Sequence, residues 1–152
     1  MHMHNNILAV YPELLKRLER INGVKAVKEA GELATLVADI KEKRKIAPLH
    51  GAVYVVYGGH SPADTAGKGK FQTTTLYFTI AYCARHTEGG KSTLYETGLV
   101  LTSIKRALQG WDAGKEYVSS PFVESSAPAI EYNDGFALYP ISFTTSVATT
   151  AD

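Results

Sequence analysis

The chain has 152 residues, 45% hydrophobic and 20% charged, with 16 Lys+Arg against 15 Asp+Glu and a net charge of +1. That length supports one well-buried core rather than two, and the charge balance supplies no field to gather nucleic acid, so a free-standing nucleic-acid binder is disfavoured. The only cysteine, Cys83, lies inside an apolar strand pattern and reads as a buried thiol, which leaves no disulfide within the chain.

The opening MHMHNN lacks the basic region and apolar run of a signal peptide. No stretch nears the roughly 18 apolar residues of a membrane span, so a soluble protein of a reducing compartment is expected. Residues 6–21 form the first element. Ile7, Leu8, Tyr11, Leu14, Leu15, Leu18 and Ile21 fall on one helical face, with Glu13, Lys16, Arg17, Glu19 and Arg20 opposite. Asn5 or Asn6 is placed to cap this helix and Asn22-Gly23 to end it, with a flexible lead at residues 1–5. Val24 to Val27 reads as a short strand. From Gly31, Leu33, Leu36, Val37 and Ile40 recur at helical spacing. The charge run Lys41 to Lys45 then reads as a solvated helix end, stopped by Pro48, and the role of residues 31–45 stays open.

Ala52 to Tyr57 is a β-branched and aromatic run bounded by glycine, the pattern of a buried central strand. Gly58 to Lys70, GGHSPADTAGKGK, is small, polar and without period, which predicts a mobile loop and a candidate contact arm. In Phe71 to Ala84 strict alternation puts Leu76, Phe78, Ile80 and Tyr82 on the buried face of a strand. Lys91 to Gln109 carries Leu94, Leu101, Ile104 and Leu108 at helical intervals, widened by Leu99 and Val100, with Lys105 and Arg106 in the last turns where the helix dipole favours cations. Gly110 suits the positive φ after a helix, and Trp111 is placed to fold back over the helix end. Strands follow at Tyr117 to Ser125, Ala129 to Tyr132 and Phe136 to Thr145, the last two joined by an Asn133-Asp134-Gly135 turn. Pro140 implies a bulge or an edge position for the last strand, and residues 147–152 read as a loose tail. The fold class is α+β: a single domain, a mostly antiparallel sheet of about four to six strands, packed by an N-terminal helix and a helix at about 91–109.

Chemistry is poorly signalled. Gly89-Gly90-Lys91-Ser92 sits where a phosphate loop would, but that pattern needs glycine where this chain has Arg85, so the glycines read as a turn and Ser92 or Thr93 as a cap. His2, His4, His50, His60 and His86 are scattered and do not form a metal set. Ser61, His60 and Asp64 share a glycine-rich stretch that offers no rigid frame for a triad. No catalytic residue, metal or cofactor is therefore expected. Tyrosine, nine in 152, is the compositional outlier and reads as sheet core with some interface.

The order of elements, with ILAVYPELLKRLERINGV at the start, the AVYVVYGG strand, the helix ending Ala107-Leu108-Gln109-Gly110-Trp111 and the closing DGFALYPISFTT, resembles the tail terminator proteins of tailed phages, in particular the version in Mu-like contractile-tail phages and prophages. The resemblance spans about residues 6–147. It implies a structural protein, not an enzyme: a ring, usually of six subunits, that caps the finished tail tube, stops polymerisation and offers a surface to the head connector. The implied partners are copies of itself, tube and sheath proteins and the head–tail connector, with no membrane and no sequence-specific nucleic acid. It would work in the host bacterial cytoplasm during assembly and then in the virion tail. On that reading the Gly58–Lys70 stretch, with Gly58, Gly59, His60, Lys68 and Lys70, reaches the tube or a neighbour, the helix carrying Lys105 and Arg106 faces a neighbour or the core, and Arg85 and Trp111 are further interface residues. Two other readings stand beside it: a neck or head-completion protein, and a small-molecule-binding α+β domain whose mouth is formed by the Gly58–Lys70 and Arg85–Lys91 loops.

Overall fold

A computed structural model describes residues 4–42, 49–133 and 135–152. The charge run at 43–45, the stop at Pro48 and Asp134 of the expected turn lie outside the described residues, as do residues 1–3 of the expected lead. Among the described residues, three α-helices pack on a six-stranded mixed sheet, an α+β domain as the alternating patterns require. In chain order the elements are α1 (Val10–Glu19), β1 (Ala26–Glu29), α2 (Ala30–Lys41), β2 (Ala52–Ala66), β3 (Phe71–Arg85), the two-residue strands β4 (Thr87–Glu88) and β5 (Lys91–Ser92), α3 (Leu94–Leu108), β6 (Ser120–Ser125), β7 (Glu131–Tyr132) and β8 (Phe136–Thr150). The sheet order is β1-β2-β3-β8-β6, with β7 also on β8. Among the described residues only β1 and β2 pair in parallel, since α2 carries the chain back between them.

Both faces of the sheet are covered. On one face α1 and α3 bury Val10, Leu14, Leu18, Ile104 and Leu108 against Leu76, Phe78, Ile80 and Tyr82, the face that alternation in β3 indicates. On the other, α2 sets Leu36 over Ala52, Tyr54, Ala81, Cys83 and Leu138. Each fully buried Leu or Ile contributes about 1.5–3 kcal/mol of transfer free energy. The double covering explains why Phe136, Leu138, Ile141 and Phe143 share no single alternation: Ile141 and Phe143 point to one core, Phe136 and Leu138 to the other.

Local signals work in part. α1 begins at Val10 rather than at residue 6, because Asn6 spends its side chain on a turn, its Oδ1 accepting from Leu8 N at 2.9 Å. At the start of α2, Glu29 N donates to the Glu32 carboxylate at 2.9 Å in a capping box, and that bond holds the Glu32 pKa below its usual range. Gly110 has φ +72° after α3, as expected.

Three expectations are corrected. The stretch Gly58–Lys70 is not a loop: β2 runs to Ala66, and only Gly67–Gly69 turns the chain into β3. The last strand is longer than expected and lies inside the sheet, in unbroken register with β3 from Phe71↔Thr150 to Arg85↔Phe136. Pro140 is tolerated there because β7 pairs β8 only as far as Leu138 and β6 begins at Ser142, so no strand needs its missing N–H. Nor are the two ends loose as placed. Val147 and Ala148 are fully buried, and His4 takes Ala148 N on Nδ1 at 3.0 Å, which leaves Nε2 to donate to Lys115 O at 2.9 Å.

Candidate interaction surface

β1 covers β2 only from Ala52 to Val55, so from Val56 to Ala66 the outer edge of β2 has no strand beside it among the described residues. β2 and β3, each 15 residues long, together form a ribbon of roughly 50 Å. Two register shifts shape its exposed half. Gly58 is the extra residue at the first, with Gly59 at φ +101°. The second lies between Pro62 and Thr65, where Asp64 N donates to Thr73 Oγ1 at 2.8 Å and Gln72 Nε2 donates to Asp64 O at 3.0 Å. Bulges and a proline are what keep an open edge from pairing indiscriminately. Along the ribbon His60 Nδ1 lies 2.6 Å from Tyr57 Oη, and Ser61 Oγ lies 2.8 Å from Tyr77 Oη. Lys68, at φ +59°, and Lys70 are exposed at its tip, where Ala151 N donates to Lys70 O at 2.7 Å.

The other expected interface residues lie elsewhere. Arg85 is at the opposite end of β3, its guanidinium 5.9 Å from the Phe136 ring centroid. Lys105 is engaged within the chain, 3.1 Å from Glu124 Oε2, while Arg106 is exposed. Trp111 closes the core: its ring lies 5.0 Å from Phe122, and Arg17 stacks on it at 4.8 Å while donating from Nε to Ala107 O at 2.6 Å. The nine residues thus form no single site. The two stretches expected to form a mouth are likewise apart: Gly58 lies beside Tyr77 in the middle of β3 and Lys70 at its start, whereas Arg85 is at its end.

Sequence reasoning missed an apolar surface. Leu94, Tyr95 and Leu99 of α3 are 54%, 79% and 58% exposed, and Val123, Ile130 and Tyr132 on the β6–β7 side are also exposed. His86 ties part of this together, with its carbonyl accepting from Thr93 N at the foot of α3 and its ring edge-on to Tyr132 at 5.6 Å. Leu94 and Leu99 belong to the helical stripe by spacing, yet the core buries Thr97, Ile104 and Leu108 and partly covers Val100, Leu101 and Ala107, leaving these two out. A stripe wider than one sheet can cover was the available signal.

The family described as phage tail terminator protein matches residues 3–151. The chain belongs to that family. No curated protein matches the sequence. A tail terminator is a structural component of phage tail assembly, and the ribbon and the apolar surface are the parts of this one that its own core leaves unused. No helix among the described residues is long and apolar enough to cross a membrane.

Proposed function

We propose that this tail terminator caps the completed tail tube as a hexameric ring, halts tube polymerisation and presents the face to which the head connector joins. The carrying observation is the family match over residues 3–151 in a chain whose β2–β3 ribbon has a largely exposed half. A ring needs heterologous contacts whose rotation closes, and this wedge offers two different surfaces for them. One is the apolar surface around Tyr95 and Leu99, and the other is the open edge of β2 from Val56 to Ala66, fit for strand addition. Lys68 and Lys70 at the ribbon tip reach the tube, with the sheath as a further neighbour. Assembly takes place in the host cytoplasm and the ring stays in the virion tail. The protein acts through protein contacts, without catalysis.

The test is complementation with a shortened ribbon. Replacing residues 63–73 by Asn-Gly leaves Pro62 and Thr74 paired and strips partners from only the last residues of β8. The variant is expected to fold, with its far-UV spectrum retained, and to leave tails overlong or unjoined to heads in electron micrographs. Tails of normal length joined to heads would overturn the ribbon's assigned role.

A further inference from the structure

A cleft of about 860 Å³ opens between the foot of α3, the Gly23–Lys25 link after α1 and the far end of β3. Two polar side chains on its wall, Tyr82 and Thr97, are each only 3% exposed, and neither hydroxyl makes a hydrogen bond among the described residues. Neither hydroxyl is a fully buried atom without a partner, as that of Tyr139 is, so both reach the solvent of the cleft, where a ligand's acceptors can take its place. The surrounding groups are mostly donors. Lys25 and Lys91 line the cleft and make no ion pair among the described residues. The Lys25 stem lies against Gly51, where an added Cβ would stand 2.9 Å from its Cδ, so the ammonium group starts from a packed base.

His50 accepts from Arg85 N on Nδ1 at 3.0 Å, which puts the neutral ring's proton on Nε2 as another donor. Burial first, then the charges of Lys25 and Arg85, hold its pKa below the usual value, so it keeps that form. Glu88 and Glu96 also line the cleft, so three cations against two carboxylates leave one net positive charge. That balance suits a single oxyanion better than a polyphosphate. The volume lies within the range of small-molecule sites.

We propose that this cleft binds a small molecule through one oxyanion, carboxylate or phosphate, with Tyr82 and Thr97 donating to it and Lys25 and Lys91 balancing its charge. The site is separate from the ribbon and does not rest on the assembly role.

Equilibrium dialysis of the full chain against labelled inorganic phosphate and labelled acetate, with chloride at matched ionic strength as the control, tests it. Saturable binding of one probe at one per chain is expected, and the probe that saturates identifies the oxyanion. Tyr82→Phe and the double variant Lys25→Ala with Lys91→Ala should each weaken binding roughly tenfold or more, the size of a lost hydrogen bond or contact to a charged group. Lys68→Ala at the ribbon tip should leave it unchanged. The lysine variants alter exposed side chains and are expected to keep the fold. No saturation with either probe, displacement by chloride alone, or binding indifferent to both sets of variants would overturn the proposal.

Discussion

Tyr139 carries a buried hydroxyl that finds no hydrogen-bond partner among the described residues, under the edge of the Tyr132 ring at 6.2 Å. Unlike that of Tyr82 its hydroxyl is wholly buried, and burial raises its pKa, as does the neighbouring Tyr132. A donor that left water and gained nothing costs about 1–3 kcal/mol, so Tyr139→Phe is expected to raise stability by about 1 kcal/mol in urea unfolding. A loss of stability instead would mean that the hydroxyl is satisfied. Cys83, under α2, is pushed up from 9.0 to about 11 by burial. A thiol whose folded pKa is raised contributes stability that is fully present below its unfolded pKa and is lost as pH climbs through the folded value. The stability advantage of wild type over Cys83→Ala should therefore shrink by roughly 2 kcal/mol between about pH 9 and 11, measured by unfolding at each pH. A constant difference would refute it. Burial of Cys83 was readable from its sequence neighbours, but its lid was not: α2 stands far from it in the chain, and nothing local says which face of the sheet that helix covers.

Elements show where local pattern informs and where it stops. The alternation in β3 is legible because Leu76, Phe78, Ile80 and Tyr82 all meet one pair of helices. β8 is harder, since its two faces meet different helices and both demand apolar residues. The ribbon half of β2 is harder still. Its residues are mostly exposed, so nothing selects for apolar alternation, and pairing there rests on backbone bonds supplemented by Thr73 and Gln72. GGHSPADTAGKGK therefore has the composition of a loop and the geometry of a strand. The α1–α3 junction yields an element-level prediction. Gly23 turns the chain out of α1 at φ +95°, and a Cβ there would stand 2.7 Å from Val100 Cγ2. Gly23→Ala combines an unfavourable backbone with a clash and is expected to cost about 1–3 kcal/mol. In a double-mutant cycle, Val100→Ala should relieve the clash but not the backbone term, giving a coupling of about 1 kcal/mol. Additive effects would show that the two elements yield without contact at this point.

At the scale of the molecule, surface area argues for company. A compact monomer of 16.5 kDa is expected to expose about 7,500 Å², whereas this chain exposes 9053 Å². The excess approaches the roughly 1,600 Å² that two standard interface faces would cover, one toward each neighbour in a ring. The ribbon half of β2 is mostly exposed, and large apolar side chains stand exposed at Leu94, Tyr95 and Leu99, with Glu96 as the charge beside them. Light scattering behind a sizing column should accordingly find a closed species near six times 16.5 kDa, or one that closes as concentration rises. Replacing Tyr95 and Leu99 together by Glu removes nothing from the core, because both side chains are already more than half exposed. The doubly substituted chain should keep its unfolding midpoint as a monomer and run as one. If it keeps the high mass, the ring is closed by other surfaces, and the open edge of β2 becomes the place to substitute next. If wild type is monomeric at every concentration, the free ring is excluded, and closure has to come from the tail tube acting as template.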